Sequence, residues 1–456
     1  MKEEINSQNF SVDKVRALVL GAGLSGLAAS ELLAKRGAFV TLSDTRETID
    51  ESGLIDEVEV EVGGHRQETV EGAELIVLSP GISPKLSVLD TPRKNGIPII
   101  SEVELASRWI PGRIVAVTGT KGKSTTSYLI DRIFKEDGKC SVLGGNVGVA
   151  LSSQVEQSNS DVIHVVEVSS FQLELTTAFH PWISVFLNLS CDHLDRHGHF
   201  GEYAAAKAKI FSNQTSSDSM VVNADDPKVL ELASKGQART VFFSLNSSIN
   251  DGVSLLENSI VYRSGEETEK LLPAVSMNLP GRHILNDVLA AAAVGKIAGV
   301  SPDALKRAVS SFSGLEHILE HVGQFFEVQF VNDSKATNIM AAKASIESFD
   351  ENLVVIMGGH FKGGKLTDLV PVLTSKVIAL VVIGESRDRF ESELSVFVDI
   401  RKAQDMHEAV RVAFSLIKPK GVVLLAPACA SLDMFRDYRE RGRMFKEEVK
   451  SLLEQL

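Results

Sequence analysis

Residues Ile114-Val115-Ala116-Val117-Thr118-Gly119-Thr120-Lys121-Gly122-Lys123-Ser124-Thr125 decide how this chain is read. The first five form a short apolar run of strand type, and the rest open a helix through a glycine-punctuated loop. Glycines let backbone N–H groups converge on phosphate oxygens, and the helix N-terminus adds partial positive charge. Lys123 has the length to reach the outer phosphates of a nucleotide, and the Ser124 hydroxyl can ligate Mg²⁺. The spacing departs from G-x-x-x-x-G-K-[ST], because Val117 stands five residues before Gly122. A tight strand–helix turn that merely tolerates glycine is the plain alternative. The run G-K-S-T at such a junction favours phosphate.

Outward from this stretch the chain falls into three blocks of alternating strand and helix signals, expected at residues 1–110, 111–313 and 314–456. The first has strands Ala17–Leu20, Phe39–Ser43 and Leu75–Leu78, with a helix Leu24–Arg36. Pro111–Gly112 punctuates the chain before the second. That block carries strands Ile114–Thr118, Val162–Val168 and Ile183–Leu189, and an alanine-rich helix Val288–Ala298. Thr215–Ser219 reads as a polar turn, and 246–267 as a small antiparallel excursion. The third has strands Val328–Val331, Leu353–Met357, Val377–Ile383 and Val422–Leu425. Apolar runs separated by helix-length segments predict an α/β protein with parallel sheets.

In such sheets ligands collect beyond the C-terminal strand ends. Gly21-Ala22-Gly23-Leu24-Ser25-Gly26 follows the first strand, and Asp44 ends the next. This suits a dinucleotide, another nucleotide-like ligand, or a turn that only serves packing. In the second block Glu167, Asp192 and His193 end strands on the same edge as the phosphate loop. Carboxylate oxygens there suit Mg²⁺, although Glu167 also fits a buried acid or a cap. His197 and His199 read as solvated loop residues. In the third block Lys335 and Lys362 follow successive strands and could neutralise phosphate or carboxylate, or simply face water. Ser431 opens a helix in Pro427-Ala428-Cys429-Ala430-Ser431-Leu432-Asp433, and Cys429 reads as a packed thiol.

Composition bounds the rest. The chain of 456 residues is 44% hydrophobic, carries a formal charge of −13, and has three unpaired-looking cysteines. That argues for reduced thiols in a cytoplasmic protein, and against nucleic-acid or anionic-membrane binding. No apolar leader or membrane-length apolar run is visible.

Taken together, G-T-K-G-K-S-T, E-V-S-S-F-Q-L-E (Glu167–Glu174), D-H-L-D-R-H (Asp192–His197), Y-A-A-A-K (Tyr203–Lys207), N-A-D-D (Asn223–Asp226), N-D-S-K-A-T-N and P-A-C-A-S-L-D resemble the Mur ligase family. The likeness runs from about Val15 to the end. It implies three domains: a Rossmann-like N-terminal domain for the UDP substrate, a central P-loop-type ATPase domain, and a Rossmann-like C-terminal domain for the amino acid, which closes on ligand binding. It implies ligation of D-glutamate to UDP-N-acetylmuramoyl-L-alanine through an acyl phosphate and a tetrahedral intermediate, and the expected state is a monomer.

The same likeness implies roles. Gly119, Thr120, Lys121, Gly122, Lys123, Ser124 and Thr125, with Asp287, Asp333 and Lys335, would hold ATP. Ser124, Glu167, His193 and an N-carboxylated Lys207 would hold Mg²⁺, two ions in all. Leu24, Ser25, Asp44, Thr45 and Arg46 match a uridine pocket, Gly81 a pyrophosphate contact, and Asn146, Ser169 and His193 further contacts to the UDP-sugar. Thr337, Lys362, Ser431, Leu432 and Tyr438 match D-glutamate contacts, Tyr438 standing where phenylalanine is usual.

Two positions depart from the family pattern. Gly281-Arg282-His283-Ile284-Leu285-Asn286-Asp287 replaces G-x-H-N-x-x-N, and Ile318 stands where arginine usually follows His317. Arg282 is a nearby cation that could substitute. Three other readings follow: a sister ligase adding a different amino acid, an NAD-dependent dehydrogenase suggested by Gly21–Gly26, and a nucleotide-binding protein with impaired ATP use. The D-N-P-R signature of the diamino-acid-adding sister is absent.

Overall fold

A computed structural model of the chain describes residues 10–51, 54–273, 282–312, 314–350, 352–361 and 363–455. Three sheets organise it. The first two lie in one compact unit and the third in another, with the break after Phe312.

The first sheet has β1 (Arg16–Leu20), β2 (Phe39–Ser43), β3 (Val58–Glu61), β4 (Leu75–Leu78) and β5 (Ile99–Ser101), ordered β3-β2-β1-β4-β5. Every pairing is parallel. Alternate residues of β1 and β4 serve opposite cores. Val19 and Val77 pack with Ala29 and Leu33, while Leu18 and Ile76 pack with Val70 and Leu89. Burial on both faces explains why these strands read as unbroken apolar runs.

The second sheet has nine strands: β6 (Arg113–Thr118), β7 (Ser141–Gly145), β8 (Ile163–Glu167), β9 (Ile183–Phe186), β10 (Ser219–Asn223), β11 (Arg239–Ser244), β12 (Asp251–Leu256), β13 (Ser259–Ser264) and β14 (Glu267–Pro273). Their order is β14-β13-β12-β11-β10-β9-β6-β8-β7. The pairings are parallel from β7 to β12, and β13 and β14 add antiparallel strands, the excursion expected near 246–267. Strand β9 ends at Phe186, short of the expected Leu189, because Leu187 N–H turns to the Thr118 carbonyl and Asn188 enters the phosphate loop. Ser219, expected in a turn, begins β10.

Buried Glu104 couples the first two sheets. Its carboxylate accepts from the N–H groups of Thr177 and Phe179, at 3.0 and 2.9 Å, and pairs with Arg108. Glu104 lies in the helix Glu102–Ser107, which caps the first sheet.

The third sheet comprises β15 (Glu320–Phe325), β16 (Glu327–Asn332), β17 (Leu353–Gly358), β18 (Val377–Ile383), β19 (Asp399–Lys402) and β20 (Lys420–Leu425). It runs β15-β16-β20-β17-β18-β19, with only the β15 pairing antiparallel. Its strands bury Val355 and Leu424 on one face and Val354 and Val423 on the other. Among the described residues no helix is long and apolar enough to cross a membrane.

Candidate active site

Strand β6 lies between β8 and β9, so Thr118, Glu167 and Phe186 finish side by side. The loop after β6 fills the crevice beyond them. Gly122 is the N-cap of the helix Lys123–Glu136 at φ 83°, a backbone region that favours glycine. A Cβ there would also overlap the Asp287 carboxyl. Asn188 braces the loop from the side. Its Oδ1 accepts from Thr120 and Lys121 N–H at 3.1 and 2.8 Å, and its Nδ2 donates to the Lys121 carbonyl. The Lys123 ammonium folds back onto the carbonyls of Gly119 and Thr120, both at 3.0 Å.

Lys207 reaches the same loop from the helix Phe200–Ala208. It is buried and donates to the Gly119 carbonyl at 2.7 Å. Burial pushes its amine well below the ordinary lysine range, Lys123 pushes the same way, and Asp192 and Glu167 oppose them. Tyr203, one helical turn earlier, meets Thr120 Oγ1 at 3.0 Å through its hydroxyl. Burial lifts that phenol to about 12.

Glu167 is also buried. Asn146 Nδ2 donates to its Oε1 at 2.7 Å, and Asn146 N–H donates to its carbonyl. Its Oε2 is buried without a hydrogen-bond partner. An orphaned, buried carboxylate oxygen at the phosphate loop suits a hard cation, so the donors fit Mg²⁺. Among the described residues no group of three or more His, Cys, Asp or Glu forms a ready metal cage. His193 sits at φ 52°, with its ring 4.8 Å from Phe171 and its N–H on Asp192 Oδ1. Ser169 caps the helix Ser170–Leu173 through a capping box with Gln172.

Asp287 packs against the underside of the phosphate loop, fully buried, with its carboxyl pushed well above the ordinary range by desolvation. His197 is not solvated as the sequence suggested. It is 3% exposed and bonds Ser170 Oγ through Nε2. His199 does face water and caps the helix Phe200–Ala208.

At the first sheet's edge Asp44 accepts Ala22 N–H at 2.7 Å, and Arg46 grips it through its backbone N–H and side chain. Arg46 holds that carboxyl far below its usual range. Leu24 is exposed, Ser25 is half-buried and Thr45 is exposed beside them. Gly81 has open space where a side chain would go.

In the third domain Asp333 is buried and accepts from the Ser345 hydroxyl, and Lys335 N–H donates to the His317 carbonyl. Thr337 follows in the same loop, donating N–H to the Lys335 carbonyl. Ser431 is buried and Leu432 exposed, while the Tyr438 ring packs edge-on to His317 at 6.1 Å. Buried Arg441 ties the loops together, donating to Ser334 Oγ and to the carbonyls of Ser334 and Cys429. Lys362 lies outside the described residues.

Asn188, Asp226 and Arg441 carry structural duties that the sequence did not announce. Asp226 caps the helix Pro227–Ala233 and also accepts Leu189 N–H at 2.8 Å, fixing the loop that holds Asp192 and His193. Its place in the N-A-D-D run was the signal for it.

Comparison with known proteins agrees with this arrangement. Residues 15–101 match the family described as Mur ligase MurD-like, N-terminal domain, 117–295 the Mur ligase middle domain, and 319–429 the Mur ligase, glutamate ligase domain. The chain belongs to the Mur ligase family. It is 42% identical to a protein of Acidobacterium capsulatum over 95% of this chain and 96% of that one. It is 39% identical to one of Koribacter versatilis over 96% and 98%. Both relatives are named UDP-N-acetylmuramoylalanine–D-glutamate ligase. Among solved structures, UDP-N-acetylmuramate-alanine ligase from Thermotoga maritima shares the fold with a TM-score of 0.59 at 18% identity, covering 96% of this chain and all of that one. MurF ligase from the same organism, in complex with ADP, scores 0.58 at 17% identity, covering 99% and 100%.

Proposed function

We infer that this chain is an ATP-dependent amide-forming ligase that joins D-glutamate to UDP-N-acetylmuramoyl-L-alanine in peptidoglycan synthesis. The observation that carries this reading is the buried Lys207 amine donating to the phosphate loop, beside a Glu167 oxygen without a partner. The names of relatives near 40% identity support the choice of D-glutamate. The three domains take residues 1–110, 111–313 and 314–456, and work as a cytoplasmic monomer.

A carboxylate is a poor electrophile, so the alanine carboxylate first attacks the γ-phosphorus of ATP. The bond to ADP breaks and an acyl phosphate forms. The D-glutamate amine then adds to the acyl carbon. The tetrahedral intermediate collapses with loss of phosphate and a proton, leaving the amide. Backbone N–H groups from Gly122 to Thr125 and the Lys123 ammonium steady the phosphates as charge builds. Asp287 packs beneath this loop, and Asp333 and Lys335 complete the nucleotide contacts. Burial weakens the hold of the Lys207 amine on its proton, so the deprotonated amine can add to CO₂ and become a carbamate with release of one further proton. That carbamate, Glu167, His193 and Ser124 would hold two Mg²⁺ ions, which supply neutralisation of the phosphate and carboxylate charge. Leu24, Ser25, Asp44, Thr45 and Arg46 take the uridine, Gly81 the pyrophosphate, and Asn146 and Ser169 the sugar. Thr337, Lys362, Ser431, Leu432 and Tyr438 take D-glutamate.

Phosphate release from ATP tests this reading, measured with every combination of UDP-N-acetylmuramoyl-L-alanine and amino acid. Release is expected only when the UDP substrate and D-glutamate are both present. Equal release with L-lysine would overturn the specificity, and none with any pair would overturn the ligase.

A further inference from the structure

Arg196 follows His193 by three residues, in the short helix Leu194–His197. Its side chain is only 11% exposed. One terminal nitrogen, Nη2, donates to Glu174 Oε1 at 2.6 Å and to the Ile82 carbonyl at 2.8 Å. The guanidinium lies 4.8 Å over the Phe171 ring, which also touches the His193 ring. Its Nε is buried without a hydrogen-bond partner. Burying a cation is costly, and an apolar side chain would pack there at less cost. The cation therefore needs a reason beyond packing.

Ile82 supplies that reason. It ends the Ser79-Pro80-Gly81-Ile82 turn after β4, on the first sheet's ligand edge. Its side chain lies 2.9 Å from where a Cβ of Gly21 would stand, and Ser79 Oγ donates to the Gly21 carbonyl at 2.7 Å. The next residue, Ala22, holds Asp44. Glu174 lies on the other side, where His197 Nδ1 approaches it at 3.5 Å and Lys209 donates to its carbonyl at 2.6 Å. A planar guanidinium can face a carboxylate and a carbonyl at once while stacking on a ring; an ammonium cannot.

We propose that Arg196 is a positioning residue for the UDP substrate, clamping the Ser79–Ile82 turn of the first sheet to the His193 side of the second. Its loss loosens the turn beside Gly81 and leaves the phosphate loop, which Asn188 and Lys207 brace independently. This rests on the UDP-binding part of the function proposed above.

The test uses full-length Arg196→Met and Arg196→Lys, with UDP alone as the calorimetric probe and steady-state KM values for ATP and the UDP substrate. In Arg196→Met, UDP affinity falls and KM for the UDP substrate rises about tenfold, the worth of one charge-assisted hydrogen bond. The KM for ATP stays within about twofold, and Arg196→Lys falls between. If Arg196→Met does not fold, Arg196→Lys and Glu174→Gln carry the test, with a smaller effect confined to UDP. Unchanged UDP affinity, or a parallel rise in both KM values, would overturn the clamp. A wild-type protein that does not bind UDP would overturn the UDP-binding reading as well, which separates the two failures.

Discussion

The crevice beyond β6 and the loops beyond β16, β17 and β20 both lie at the C-terminal edge of a parallel sheet, but they are built on opposite terms. In the crevice, polar groups are buried without full satisfaction. Burial pushes the Lys207 amine below its ordinary range, Glu167 Oε2 has no hydrogen-bond partner, and Asp287 is desolvated beside the Thr126 hydroxyl. In the third domain the loops bond mainly to one another, although Asp433 Oδ1 is buried without a partner. His360 and Ala430 exchange N–H and carbonyl at 2.9 Å both ways, Asp433 accepts Glu385 N–H, and Arg441 spans two loops. Unsatisfied polar groups store free energy that a ligand releases, whereas satisfied ones fix a shape. The first arrangement suits chemistry on a phosphate, and the second suits recognition of a small amino acid.

Replacing Lys207 breaks this contrast most severely if it is wrong. Lys207→Ala should lower kcat by roughly a thousandfold, because it removes a group that offsets charge in the transition state. Its melting temperature should stay within about 3 °C of wild type, since the buried amine contributes chemistry more than cohesion. A short carboxylic acid added to the assay should restore part of the rate by standing in for the carbamate. A variant that melts early and is not rescued would make Lys207 a structural residue and erase the distinction.

The two regions were also unequally legible in the sequence. The phosphate loop was plain, because glycine, lysine and serine at a strand–helix junction act through local backbone geometry that local sequence encodes. The run of parallel strands followed from apolar stretches buried on both faces. His197 was misjudged because its burial comes from Phe171, Tyr203 and Ser170, brought in from elsewhere in the chain. Asn188 and Arg441 showed no local signal either. One braces a loop 67 residues away in sequence, and the other holds a carbonyl 107 residues away. Strands β7 and β19 were missed because one ends in two glycines and the other is four residues of mixed polarity at an edge.

The third domain's satisfied network predicts the reverse of Lys207. Arg441 has no exposed surface, and burial lowers its guanidinium only to about 10, so it remains a cation at neutral pH. Arg441→Met removes the donor to the Ser334 hydroxyl and to the carbonyls of Ser334 and Cys429. It should cost roughly 4 kcal/mol of third-domain stability in urea denaturation. KM for D-glutamate should rise, because the loops bearing Thr337 and Ser431 lose their shared anchor. A stable Arg441→Met protein with a raised KM alone would show that the network serves recognition without supporting the fold.

Asp333 gives the subtlest division between the regions, because it is buried in the satisfied network yet does not escape the cost of desolvation. It accepts from the Ser345 hydroxyl and the Leu319 N–H, but burial still lifts it from 3.8 to about 6. The native chain therefore keeps this proton where the unfolded chain has lost it. Between about pH 4 and 6 the folded state binds more protons than the unfolded one, so stability falls as pH rises through that window and is flat above it. The total decline from this group is about 3 kcal/mol, at 1.36 kcal/mol per unit. Asp333→Asn keeps the acceptor for Ser345 and removes the titration, so urea unfolding should lose that slope while keeping its midpoint near pH 4. A slope that survives the substitution would place the titrating group elsewhere, and the third domain would then be more fully satisfied than Asp333 suggests.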